Sequence, residues 1–151
     1  HEQMLPDLKA RYIDTGKVRF VSRDLPLDVH VHAFQAARAA RCAGEQNKYW
    51  ELRDKLSGNP NNLGHEGLLQ SAREVALEMS QFQACLESDR YQAEVQKDVA
   101  EALAIGIRGT PAFVLGKSAH DSFEGIRIVG AQPYAAFEAR IEELLAHGSK
   151  P

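Results

Sequence analysis

Apolar residues change their spacing several times along the chain, and each change marks an element. Met4, Leu5, Leu8 and Tyr12 recur at helical intervals, with Lys9 and Arg11 elsewhere on the wheel, so the chain opens on an amphipathic helix. Pro6 falls inside that pattern and predicts a bend unless the helix starts near it, because proline removes a backbone donor and crowds the preceding turn. No capping residue precedes His1, so the start of this helix and a strand feeding it are expected upstream of the residues given. Asp14-Thr15-Gly16 stops the helix. The run Lys17 to Arg23, with Val18 and Phe20 on one face, then predicts a strand closed by Asp24-Leu25-Pro26-Leu27.

From Ala33 to Leu56 the pattern is helical and alanine-rich, with Phe34, Ala37, Tyr49, Trp50 and Leu56 as candidate buried positions and Gly44 as a weak point. Gly58-Asn59-Pro60-Asn61-Asn62 breaks it. Three further helices are expected over Glu66 to Leu77, Gln81 to Leu86 and Arg90 to Ile105. Ser80 followed by Gln83 has the spacing of a capping box, and Gly106 fits the residue just past a helix end. Gly109 then interrupts any regular run, and Thr110-Pro111 leads into a strand, Ala112 to Leu115. A proline there belongs at a strand's first residue or edge, and an X-Pro bond in such a turn is a candidate for the cis form. Ile126 to Val129 is the antiparallel partner strand. Gln132-Pro133 opens a last helix carrying Phe137, Ile141, Leu144 and Leu145, and Gly148 ends it. The order is helix, strand, a block of helices, strand, strand, helix, without repeats.

Composition narrows the class. At 151 residues, with 44% hydrophobic and 26% charged residues, the chain suits one domain, or one with an insertion, around a sizeable core. A net charge of −3 gives no electrostatic reason to expect nucleic acid or an anionic membrane as partner. No apolar run reaches the length needed to cross a bilayer, and no signal-peptide pattern is present.

Few residues invite chemistry. Cys42 and Cys85 lie 43 positions apart, and neither belongs to a redox pair at a helix start. They read either as two buried thiols or as a structural disulfide joining two helices. His30 and His32, with Asp28 nearby, and His65 beside Glu66 suggest a metal only weakly, since two imidazoles lack a third ligand; a polar loop and no metal are expected. Tyr49 and Trp50 are assigned to the core, and no cofactor is called for.

An ordered series of segments carries a resemblance. His1-Glu2-Gln3 with Leu5-Pro6, Tyr12 to Val18, Arg23-Asp24-Leu25-Pro26-Leu27, Ala39 to Gln46, Trp50, Gly109-Thr110-Pro111 and Gly130-Ala131-Gln132-Pro133 together resemble the DsbA-like branch of the thioredoxin superfamily. The resemblance implies an α/β fold: a thioredoxin-like sheet with an all-helical insertion domain, its N-terminal strand or strands and the start of its first helix missing from this chain. The corresponding domains are 1-32 with 106-151, and a helical insertion over 33-105.

It further implies a thiol:disulfide oxidoreductase acting on cysteine-containing substrate proteins in a bacterial periplasm or other extracytoplasmic space, together with a redox partner protein. In that branch a Cys-x-x-Cys pair sits at the start of the first helix, where the helix N-terminus lowers a thiol's pKa. Here that pair is expected just before His1, leaving no catalytic cysteine in the chain itself. His1 would lie near the redox site. Gly109, Thr110 and Pro111 would face it, the Thr110 backbone pairing with an extended substrate segment. Membrane contact is expected only through a partner or a lost N-terminal segment, and two alternatives stay open: a non-catalytic thioredoxin-like protein-binding domain, and a soluble domain appended to a membrane or transport protein.

Overall fold

The computed structural model describes residues 4–118 and 123–146 of the chain. They form two units: His1–Ser22 with Arg108–Pro151, and Arg23–Ile107. Each has its own core.

In the first unit, helix α1 spans Met4–Leu8 and continues through a π-helical turn, Lys9–Ile13, in which the Asp14 N–H donates five residues back to Lys9 O at 2.9 Å. Pro6 lies within α1, and the departure from α geometry falls after it, at Lys9–Ile13. Met4, Leu8 and Tyr12 turn inward at four-residue intervals, as their spacing predicts, and bury against Phe137 and Ile141 of helix α7, Tyr134–Ala146. Strands β1, Ala112–Ser118, and β2, Phe123–Val129, pair antiparallel from Ala112 opposite Val129 to Ser118 opposite Phe123. Phe113, Leu115 and Ile128 project from one face onto that core, with the Phe113 and Phe137 rings edge to face at 4.9 Å. Gly116 is required by packing, since a Cβ there would stand 1.9 Å from Glu124 O across the ladder.

The strand expected over Lys17 to Arg23 does not form. Residues 18–27 are irregular. β propensity is realised only when a neighbouring strand takes up the backbone N–H and C=O groups, and the ladder described here is that of β1 with β2. Val18 nonetheless packs on the core, and its N–H donates to Tyr12 O at 3.0 Å.

The second unit is helical: α2 Ala33–Gly44, α3 Tyr49–Ser57, α4 His65–Glu74, α5 Met79–Glu87 and α6 Gln92–Ala104. Helix α2 touches the other four. Its inward face is made of small residues, Ala39, Cys42 and Ala43, which let Leu52, Leu68 and Phe82 close around it. One helix from Ala33 to Leu56 was expected. The chain instead breaks after Gly44, with Asn47 at φ +58° and the Lys48 N–H closing on Ala43 O. Of the five expected core positions only Leu56, on α3 beyond the break, is buried. Phe34, Ala37 and Tyr49 are half-buried, and Trp50 is 42% exposed beside the Arg53 guanidinium. Helix α5 is not capped by the Ser80-Gln83 box. The Glu78 carboxylate accepts the N–H groups of Ser80 and Gln81, which holds that carboxyl below its usual range. No helix among the described residues is long and apolar enough to cross a membrane.

Candidate functional site

The best candidate site from the sequence sits where α6 gives way to β1. Helix α6 ends in a tight turn: Gly106, at φ +76°, donates to Leu103 O, and the Ile107 N–H reaches back to Ala102 O at 2.8 Å. Past Arg108, the Thr110-Pro111 peptide bond is cis. Pro111 immediately precedes the first residue of β1, and its carbonyl accepts the Gly130 N–H at 2.9 Å, adding one bond to the end of the ladder. The missing proline N–H thus falls at the end of a strand, where it interrupts nothing. Thr110 is exposed, while Gly109 and Pro111 are half-buried. Gly109 is not demanded by sterics, since a Cβ there would meet nothing within 4 Å. Thr110 thus lies in an exposed bend two residues ahead of β1.

His1 lies outside the described residues. His30 and His32 are exposed in turns ahead of α2, and His65 is the exposed first residue of α4. Among the described residues no group of three His, Cys, Asp or Glu side chains is placed to hold a metal.

Cys42 and Cys85 are joined in a disulfide between α2 and α5, with Cα atoms 5.8 Å apart, and each residue is 2% exposed. Of the two readings left open, buried thiols or a structural disulfide, the pair takes the second, and against the expectation of a chain without catalytic cysteines it holds one oxidised pair. Its situation differs from that of a Cys-x-x-Cys pair, because each cysteine lies in the last turn of its helix, not at a helix start, and away from solvent. Against the Cys85 Sγ, at 3.7 Å, lies Glu45 Oε1, which also accepts from Arg90 Nη1 at 2.6 Å and from the Tyr91 hydroxyl at 3.0 Å. The Arg90 guanidinium holds the Glu45 carboxyl below its ordinary range.

Two charged features escape a pattern-based reading. The Asp98 side chain, 2% exposed on α6, accepts from Arg23 Nη1 and Arg41 Nη2, both at 2.7 Å, and from the Asp24 N–H at 2.9 Å. Arg41 Nε also donates to Asp24 Oδ2 at 2.6 Å, and burial raises the Asp24 carboxyl above its usual range. The Arg38 guanidinium, buried on α2, donates to the carbonyls of Leu86 and Ser88 at the end of α5. Asp98 three residues after the buried Val95, and Arg38 beside Ala39, place charges on apolar helix faces, and that was the signal available.

The profile of the family described as Thioredoxin matches residues 1–142. Among curated proteins, the Na(+)/H(+) antiporter NhaA 3 of Salinispora tropica is 33% identical over 136 residues, which cover 89% of this chain and 21% of the antiporter. Probable disulfide bond formation protein D of Bacillus anthracis is 27% identical over 139 residues, 82% of this chain and 61% of that protein. The chain thus spans about a fifth of the antiporter's length. Among solved structures, alpha-DsbA1 of Wolbachia pipientis superposes with a TM-score of 0.82 at 25% identity, covering 95% of this chain and 76% of that one. A thioredoxin-like oxidoreductase from Silicibacter pomeroyi gives 0.75 at 27% identity, with coverages of 99% and 78%.

Proposed function

The chain belongs to the thioredoxin family, in its DsbA-like branch, and from that we propose that it serves a thiol:disulfide oxidoreductase acting on the cysteines of extracytoplasmic proteins. The observation that carries this is the Gly109-Thr110-Pro111 stretch, with an exposed Thr110 and a donorless Pro111 fused to the start of β1. In this reading the Thr110 backbone pairs with an extended substrate segment and Pro111 keeps a hydrogen-bond donor away from the reacting sulfurs. In this reading the reacting pair is a Cys-x-x-Cys just before His1. A substrate thiolate attacks the active-site disulfide to give a mixed disulfide; a second substrate thiolate then displaces the enzyme sulfur. The substrate dithiol is oxidised to a disulfide while the enzyme disulfide is reduced to two thiols, which a redox partner protein re-oxidises. Cys42–Cys85 takes no part and is structural.

The similarity to antiporters favours a second reading, in which this domain is carried by a membrane transporter and works at the membrane surface. Membrane fractionation and the mass of the intact protein separate the two. The oxidoreductase itself is tested by dithiol-peptide oxidation with the intact protein and its Thr110→Pro variant, which deletes the backbone donor offered to substrate. Expected is robust oxidation by the wild type and at least about tenfold weaker kcat/KM in the variant, one lost pairing contact being worth of that order. An intact Cys-x-x-Cys without dithiol oxidation, disulfide reduction or isomerisation would overturn the proposal.

A further inference from the structure

We propose that Glu45 insulates the Cys42–Cys85 disulfide from thiol exchange, by placing a fixed negative charge against the Cys85 sulfur. A disulfide sulfur has no proton to donate, so the 3.7 Å approach of Glu45 Oε1 to Cys85 Sγ is a charge resting on a reactive atom. The carboxylate is fixed there by the Arg90 guanidinium and the Tyr91 hydroxyl, and Glu45, three residues past Cys42, sits at the end of α2.

Reduction by a dithiol breaks the S–S bond and leaves two protein cysteines, while the reductant is oxidised to its own disulfide. The first step is attack by an anionic thiolate along one of two routes. Attack on the Cys85 sulfur brings a negative nucleophile up to the Glu45 carboxylate. Attack on the Cys42 sulfur expels Cys85 as a thiolate beside that same carboxylate, making it a poorer leaving group. Both routes meet like-charge repulsion at a part-buried contact, where water screens it less than on an open surface. Once reduced, the Cys85 thiol gains a proton for which Glu45 Oε1, at 3.7 Å, is the acceptor, and re-oxidation must break that contact. A disulfide guarded in this way persists among reactive thiols, whatever the function of the rest of the molecule.

The test is the rate at which dithiothreitol reduces this pair in the native intact protein, followed by quenching, alkylation and peptide mass for Cys42 and Cys85. Wild type, Glu45→Gln and Arg90→Gln are compared, each rate divided by the variant's own unfolding constant from urea titration, so that loss of stability is removed. Both substitutions break the same ion pair, but only Glu45→Gln removes the charge at the sulfur. Expected is a normalised rate at least roughly tenfold faster for Glu45→Gln, the like-charge term being of that size, and no acceleration for Arg90→Gln. Equal acceleration in the two variants, or none in Glu45→Gln, would overturn the proposal.

Discussion

Asp98 collects two guanidinium groups and a backbone N–H while almost wholly removed from solvent, so its charge is compensated only by those partners. Truncating one member of a buried pair leaves the other uncompensated, which costs far more than the pair's net worth. Asp98→Ala is therefore expected to lower unfolding stability by about 3 kcal/mol in urea titration, because Arg41 loses a partner inside the helical unit. Arg23→Ala should cost under about 1 kcal/mol, since that side chain is 63% exposed and water replaces its contact. A loss below 1 kcal/mol for Asp98→Ala would show that the cluster is solvated. Residues of this kind are the least legible from sequence. Asp98 and Arg38 sit on apolar helix faces, and only the tertiary partners 57 residues away on Arg41, and at Leu86 O for Arg38, explain why charges are tolerated there.

Helices and the hairpin were largely legible as elements because each carries a complete local signal. Met4, Leu8 and Tyr12 lie at helical spacing, and Gly106 stands at a positive φ where α6 stops. What failed depended on neighbours. The run Lys17 to Arg23 has strand character without a ladder to join, and a continuous wheel drawn through Gly44 put Trp50 in the core by carrying the phase of α2 across a break. Pairing of Cys42 with Cys85 was equally undetermined, since periodicity does not say which helices lie side by side. The bond closes a loop of 43 residues across α2 and α5, and chain-entropy arithmetic gives roughly 4 kcal/mol for a loop of that length. Cys42→Ala combined with Cys85→Ala should accordingly reduce stability by up to about 4 kcal/mol in urea at neutral pH, with the helical circular dichroism unchanged before the transition. A loss under 1 kcal/mol would mean that the α2 and α5 packing already restricts the unfolded chain.

At the scale of the molecule, the resemblance read from scattered segments identified the fold because it rests on order along the chain and does not depend on any one motif; Gly-Thr-Pro by itself is common. The all-helical insertion it implied is present as a block of five helices, Ala33 to Ala104. That block lies in a unit, Arg23–Ile107, whose core is drawn entirely from its own residues, from Ala39 and Cys42 through Phe82 and Leu86. The Asp98 cluster also closes within it, fastening Arg23 and Asp24 at its N-terminal end to α2 and α6. A chain of that size with its own core, a disulfide and a tied-down end meets the requirements of an autonomous domain. Residues 23–107 expressed alone under oxidising conditions should therefore show helical circular dichroism and one cooperative thermal transition, moved to lower temperature by dithiothreitol as the Cys42–Cys85 link opens. A broad, non-cooperative melt would mean instead that the helical unit depends on residues outside it for its packing.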